Sequence, residues 1–164
     1  MAENTTNRNK RSEAIRAERR AAREAVLALL FESEYHEDET PESIFLRALD
    51  AREFPEKTAA IRREYEGIME NLPAIDERIG RHAKGWRTGR LSRVSRAILR
   101  LGTYELVYVD KIPAPIAINE AVELAKKYDD PKARAFINGV LNAIKDEVSA
   151  QTAEADTPAD ESEA

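Results

Sequence analysis

Apolar residues along most of the chain return every three or four positions, which is the period of an α-helix with one buried face. The first predicted helix runs from about Ser12 to Tyr35, and its second half places Val26, Leu30 and Phe31 on one arc. No segment shows the strict alternation of a half-buried strand. Ala, Leu, Glu and Arg are abundant and Gly is scarce, which also favours helices. The pattern therefore predicts an all-α fold.

Capping residues and prolines divide the rest of the chain into six further helices. Thr40 can cap a second helix that begins at Pro41. The segment PEKTAAIRREYEGIMENL predicts a third helix, and Pro73 ends it and starts a fourth. A long fifth helix follows the break RTG, the segment DKIPAP separates it from a sixth, and DDPK turns the chain into a seventh. The expected buried faces of these helices are formed by Ile44, Phe45, Leu49, Ile61, Tyr65, Ile68, Leu72, Ile75, Ile79, Ala83, Trp86, Leu91, Val94, Ile98, Leu101, Glu105, Ile118, Ala121, Val122, Ala125, Phe136, Ile137, Val140, Leu141, Ile144 and Val148.

The dipeptide Asn138-Gly139 is ordinarily a strong hairpin signal. Here the apolar period on both sides of it is helical, and the pair lies off the apolar arc. We therefore expect it within the seventh helix, with Gly139 permitting a neighbour to approach closely.

The net charge of −5 is unevenly distributed along the chain. Residues 8–23 carry seven basic and two acidic side chains, residues 78–100 carry eight Lys and Arg residues and no acid, and residues 149–164 carry five acids and no base. Because the local field decides whether a polyanion binds, an acidic protein with concentrated basic segments can still bind nucleic acid.

Composition along the chain predicts a disordered basic arm over residues 1–10, a helical domain over 11–148 and a disordered acidic tail over 149–164. The domain is expected to have halves of about 11–72 and 73–148. Cysteine is absent, and no apolar run reaches the length of a membrane span or a signal-peptide core. We expect a soluble cytoplasmic protein without membrane attachment.

The first helix poses the main question about function. Its start places four arginines on nearly the arc that is buried two turns later; they are Arg16, Arg19, Arg20 and Arg23. The simplest geometry is a helix whose second half packs into the domain while its first turns project beyond the domain edge. A projecting row of guanidinium groups suits phosphate oxygens and bases of RNA. In the fifth helix, Arg93, Arg96 and Arg100 lie opposite the apolar residues and are expected to face outward.

Catalytic chemistry has little support in the sequence. His36 and His82 have no partner at metal-ligand spacing, and no phosphate-binding or nucleophile motif occurs. Glu105 falls on a core-facing arc, where a lone carboxylate is more often hydrogen-bonded than catalytic. We expect no catalytic residue, metal site or cofactor, and a protein that is not an enzyme.

Two segments carry a family resemblance. SRAILRLGTYEL (95–106) and IPAPIAINEAVELAKKYDDPKARAFINGVLNAI (112–144) resemble the NusB family of bacterial transcription antitermination factors, whose pattern reads approximately aiLRla.yEL, P..vaINEAveLAk.f and FvNGvLd. The segment R..AREAVLALLF near the start is similar to the family's R..aRe.a.qaLy. The resemblance covers residues 16–146 and is carried by the joint order and spacing of these motifs.

The resemblance implies a seven-helix fold, with an N-terminal three-helix half packed on a C-terminal four-helix half. It implies binding to the boxA element of ribosomal RNA transcripts together with a small-subunit ribosomal protein known as NusE, in a complex that helps RNA polymerase read through terminators. By matching positions, the implied RNA contacts are Arg16, Arg19, Arg20, Arg23, Arg100, Lys132, Arg134 and Phe136. Phe31 stands at a position that faces the protein partner.

Two other interpretations stay open from the sequence. One is a stand-alone relative of the RNA-binding module of ribosomal RNA cytosine methyltransferases, enzymes that need a long cofactor-binding domain and a catalytic Cys. The other is a helical adaptor that binds only proteins. The sequence also leaves open whether the chain forms a homodimer.

Overall fold

A computed structural model describes residues 2–51, 54 and 57–156 of the chain. Within these residues all regular secondary structure is α-helical, as the sequence pattern predicted. The seven helices are α1 (Ala2–Ser33), α2 (Pro41–Asp50), α3 (Thr58–Glu70), α4 (Leu72–His82), α5 (Arg93–Tyr108), α6 (Ala114–Tyr128) and α7 (Ala133–Asp156). None of them is both long and apolar enough to cross a membrane. The chain divides into two compact units, Met1–Leu72 and Pro73–Ala164.

In the N-terminal unit, α1 packs against α2 and α3. Thr40 is the N-cap of α2, where its hydroxyl accepts a hydrogen bond from the backbone N–H of Ser43. Tyr65 of α3 is fully buried, and its hydroxyl lies 2.6 Å from that of Ser33 at the end of α1. Because Ser33 donates its own proton to the Leu29 carbonyl at 2.7 Å, the Tyr65 hydroxyl is the donor of this pair. The bond satisfies a buried polar group and fixes the end of α1 against α3.

In the C-terminal unit, α5, α6 and α7 pack against one another. Gly102 of α5 makes this packing close, because a Cβ at this position would lie 2.9 Å from Leu141 Cδ1 and 3.5 Å from the Cβ of Ala121. Gly139 of α7 does not have the role expected from the sequence. It lies within a helix, as predicted, but a Cβ there would meet nothing within 4 Å. The close approach occurs at Gly102 instead.

Helix α4 is joined to α7 by a cluster of charges around Glu147. Its carboxylate hydrogen-bonds His82 and Arg81 and lies 3.2 Å from the guanidinium of Arg78. The pKa of Glu147 is lowered: burial raises it, but the bonds from His82 and Arg81 and the nearby positive charges outweigh burial. We call Glu147, His82, Arg81 and Arg78 the α4–α7 clasp.

The structure corrects both terminal expectations. Residues 2–10 are not a disordered arm but the first turns of α1, although every side chain from 2 to 20 is exposed. Extending a helix that is already nucleated adds one hydrogen bond per residue without a second nucleation cost, so the packed second half of α1 supports its start. Similarly, α7 continues to Asp156 through the first part of the expected tail. Residues 157–164 lie outside the described residues.

Most residues of the expected core are buried. One of them, Leu49, is exposed, and six others are half-buried. Leu49 is 39% exposed, and Ala48 is buried in its place. Ile44, Phe45 and Ala48 form an arc centred on Ala48, and Leu49 is turned about 100° away from it. The residues that are half-buried rather than buried are Leu72, Leu91, Val94, Val122, Phe136 and Val148.

Candidate nucleic-acid interface

The first half of α1 is exposed on every face. Arg16, Arg19 and Arg20 are all exposed, whereas Val26 and Leu30 on the same arc are buried completely or almost so. The change from exposed to buried therefore falls between residues 20 and 23. This is the geometry that the charge pattern predicted.

Arg23 differs from the other three arginines because it is only 8% exposed. It lies on the arc of Val26, Leu27 and Leu30, and at this point of α1 that arc is already buried. Arg23 also makes polar contacts within the chain. The expectation that it projects beyond the domain edge is wrong, and the projecting row consists of Arg16, Arg19 and Arg20.

An acidic side chain on the other side of α1 is paired away from this row. Glu18 lies 3.1 Å from the ammonium of Lys57, which precedes α3. Glu18 is about 160° around the helix from Arg16 and about 100° from Arg19. Arg20 also makes a polar contact within the chain, and Arg16 and Arg19 are the two of this row whose charge Glu18 does not offset.

Arg100 does not face outward, contrary to the sequence expectation. It is 7% exposed and donates two hydrogen bonds to Asp76 of α4, at 2.9 Å and 3.0 Å. Its guanidinium also lies 5.4 Å from the ring centroid of Trp86, and that of Arg96 lies 4.7 Å from it. The reason is that α5 is buried on all its faces between residues 97 and 103, so the side opposite its apolar stripe is not a surface.

Apart from Arg81, which is held in the α4–α7 clasp, the exposed cations of the basic run lie instead in the loop before α5 and at its first residue. They are Lys84, Arg87, Arg90 and Arg93. Gly85 and Gly89 have positive φ angles of 88° and 67°, which gives the loop tight turns that other residues rarely adopt. Sequence reasoning recognised the basic run of residues 78–100 but assigned its outward-facing cations to α5 rather than to this loop. The signal that could have found the loop is a pair of glycines spaced among basic residues.

The start of α5 and the segment that enters α7 are held together within the C-terminal unit. Asp129, which ends α6, accepts hydrogen bonds from the hydroxyls of Ser92 and Ser95 at the start of α5. Arg93, which follows Ser92, and Lys132, which lies three residues after Asp129, are both exposed. These two basic positions, which are far apart in sequence, therefore belong to one region of this unit.

The three implied RNA contacts near the start of α7 differ in exposure. The side chain of Lys132 is exposed, and its backbone N–H donates to Asp130 Oδ1 at 2.9 Å. The side chains of Arg134 and Phe136 are half-buried. An exposed ammonium, a guanidinium and part of an aromatic ring are groups that contact phosphates and bases.

Phe31 lies in the N-terminal unit, near the end of α1. It is half-buried, and its ring packs against Tyr35 with a centroid distance of 5.2 Å. Tyr35 is itself 55% exposed. The pair offers a partly accessible aromatic surface, of the kind that protein interfaces favour.

The groups that were weighed for catalysis have structural partners. His82 is part of the α4–α7 clasp, and His36 lies 3.9 Å from a carboxylate oxygen of Glu39. Glu105 is buried and makes polar contacts within the chain. Among the described residues, no three His, Cys, Asp or Glu side chains are grouped as metal ligands would be.

An all-helical chain with exposed cationic rows on an otherwise acidic molecule belongs to the class of proteins suited to bind a polyanion. The amino-acid sequence of the chain identifies the particular family. The sequence model of the NusB family matches residues 20–146, and the chain belongs to this family.

Individual relatives agree with this assignment. The transcription antitermination protein NusB of Bacillus licheniformis is 42% identical over 130 residues, which are 79% of this chain and 98% of that protein. The solved structure of T. maritima NusB superposes with a TM-score of 0.71 at 42% identity, over 79% of this chain and 91% of that one. A crystal structure of the antitermination factors NusB and NusE in complex with dsRNA contains a chain with a TM-score of 0.71 and 28% identity, over 80% of this chain and 98% of that one.

Proposed function

We propose that this chain is an RNA-binding transcription antitermination factor that acts in the cytoplasm. It binds boxA-type RNA of ribosomal RNA transcripts together with the ribosomal protein NusE, and the complex supports read-through by RNA polymerase. The chain supplies binding surfaces and performs no catalytic step of its own.

The observation that carries this proposal is the division of α1 into an exposed cationic half and a packed half. The exposed side chains of Arg16, Arg19 and Arg20 cover no core, and guanidinium groups pair well with phosphate oxygens. Membership of the NusB family supports the same conclusion, as does the likeness to a NusB chain that was solved with NusE and dsRNA.

The RNA contacts that we assign follow the exposure of each residue. In the N-terminal unit they are Arg16, Arg19 and Arg20, and in the C-terminal unit they are Lys132, Arg134 and Phe136. Arg23 and Arg100 are buried in the free chain, so we assign them the positioning of the surrounding elements. Phe31 is assigned to the NusE-facing surface.

The test is a titration of the full chain with a boxA-like RNA in the presence and in the absence of purified NusE. The proposal expects weak binding by the chain alone and tighter binding when NusE is present. An RNA of the same composition in scrambled order is the control for sequence preference, and it should bind more weakly.

Two outcomes contradict the proposal. Equal affinity for the boxA-like and the scrambled RNA would show that the chain does not read this element. Binding to NusE without any binding to RNA would instead identify a protein-only adaptor.

A further inference from the structure

Helix α1 extends well beyond the part of the chain that matches the NusB family. The match begins at residue 20, whereas α1 begins at Ala2. Residues 2–19 thus add about 27 Å of helix at 1.5 Å per residue. All of their side chains are exposed, so this segment contributes no side chain to the core. We call it the α1 arm.

The α1 arm continues the row of exposed arginines. Arg8, Arg16 and Arg19 fall within about 80° of helical arc, and Arg11 borders them. Lys10 lies on the opposite side of the helix, about 160° from Arg8. The row therefore runs from Arg19 outward to Arg8, over about 16 Å along the helix axis.

The charges of this face repel one another. Arg8 and Arg11 are three residues apart, as are Arg16 and Arg19, and like charges at this spacing destabilise a helix. No ion pair between described residues engages these four side chains. The acid Glu18 lies about 20° from Arg11 around the helix, and its carboxylate is paired with Lys57. Of the two acids within residues 8–19, Glu13 lies one turn before Arg16 and forms no ion pair with it among the described residues, and Glu18 is engaged by Lys57. The arrangement has unused positive charge that a bound anion would neutralise.

We propose that the α1 arm binds the sugar–phosphate backbone of the RNA beside the element that the family surface recognises. Arg8 and Arg11 then add phosphate contacts that do not depend on base sequence, and Arg16 and Arg19 connect them to the rest of the RNA surface. This inference rests on the proposed function. Arginine predominates over lysine in the arm, and its planar fork pairs with phosphate oxygens at two points.

The experiment compares two single variants of the full chain, Arg8→Gln and Lys10→Gln, each in the presence of NusE. They remove the same charge two residues apart but on opposite sides of α1, and Gln preserves helix propensity. Each is titrated with a short boxA-like RNA and with RNAs that carry ten additional uridines or adenosines on the 5′ or the 3′ side.

We expect the salt dependence of RNA binding to weaken only for Arg8→Gln, and only with an extended RNA. For that combination the slope of log affinity against log salt falls by about 0.7, the value of one phosphate contact on a single strand. Uridine and adenosine extensions give the same loss. The Lys10→Gln variant keeps the slope of the unaltered chain on every RNA.

Equal slopes for the two variants on all extended RNAs would overturn the inference. Weaker NusE binding by Arg8→Gln in the absence of RNA, with unchanged RNA binding, would also overturn it and assign the arm to a protein contact. Binding of the short RNA by the unaltered chain reports the proposed function separately, so a failure of the arm and a failure of the function are distinguishable. Circular dichroism of both variants checks that α1 stays helical.

Discussion

Two glycines show how the surroundings of a residue decide its role. Gly102 and Gly139 both lie inside helices, where glycine costs stability relative to alanine. Gly102 faces the fully buried side chain of Leu141, which would have to shift to admit a Cβ. Gly139 faces open space. The first glycine is required by packing and the second is not.

Alanine at these two positions should therefore change stability in opposite directions. Gly102→Ala should lower the free energy of unfolding by about 1–3 kcal/mol, as overpacking of a core does. Gly139→Ala should raise it by up to about 1 kcal/mol through helix propensity. Urea denaturation of the two variants measures both, and a destabilised Gly139→Ala protein would show that this face of α7 is packed.

At the scale of elements, the α4–α7 clasp links stability to pH. The pKa of Glu147 in the folded chain lies below its ordinary value of 4.5. The stabilisation is therefore fully present above the unfolded pKa and is lost as the pH falls through the folded pKa. The clasp should hold α4 on α7 at neutral pH and release it only in the acidic range below 4.5.

Glu147→Gln should lower the free energy of unfolding at neutral pH by about 1–2 kcal/mol, because charged hydrogen bonds to His82 and Arg81 are weakened. The difference from the unaltered chain should disappear as the pH falls below the folded pKa of the carboxyl. Asp146→Asn is the matched control, since the neighbouring Asp146 side chain is 77% exposed. Urea titrations from about pH 3 to about pH 7 test the sign, and a difference that grows toward acid pH would refute it.

The exposed half of α1 should affect RNA binding without affecting stability. Replacement of Arg16, Arg19 and Arg20 by alanine should change the free energy of unfolding by no more than about 0.5 kcal/mol, as at ordinary surface positions. Because the variant cannot pair with three phosphates, the salt slope of RNA binding should fall by about 2. Phe31→Ala should instead reduce stability or NusE binding and leave the salt slope unchanged. Early melting of the triple variant with an intact slope would make the arginines structural.

At the scale of the whole molecule, the net charge of −5 conceals separate acidic and basic regions. Exposed cations occur in both units, on α1 in one and near the starts of α5 and α7 in the other. Binding that uses both sets would make RNA affinity depend strongly on salt in spite of the acidic composition. A protein partner bound at Phe31, as we propose, would add affinity through a separate surface.

The coupling between RNA and NusE should be reciprocal. Whatever factor NusE contributes to the RNA affinity of this chain, the RNA must contribute to its NusE affinity, because the two routes to the ternary complex share their end states. Isothermal titration along both routes measures the two factors. Factors that differ beyond experimental error would mean that the complex contains further components, such as a second copy of the chain.

Several features could be predicted from residues alone because the forces that cause them are local. The period of apolar residues predicted seven helices, Thr40 and Pro41 predicted the start of α2, and Asn138-Gly139 was assigned to a helix. The family resemblance was confirmed by the match over residues 20–146. The RNA contacts assigned to individual residues stay predictions.

The sequence by itself determined the all-α class, the number and order of the helices and the segregation of charge, since periodicity, capping and composition act over a few residues. Only the tertiary structure decided which side chains reach the surface. Arg100 is buried because α5 is covered on every side around residues 97–103, and Arg23 because the packed half of α1 begins there. Gly102 has a packing role because Leu141 lies against it. A helical wheel shows which residues share a face but not what covers that face, and the covering elements come from distant parts of the chain.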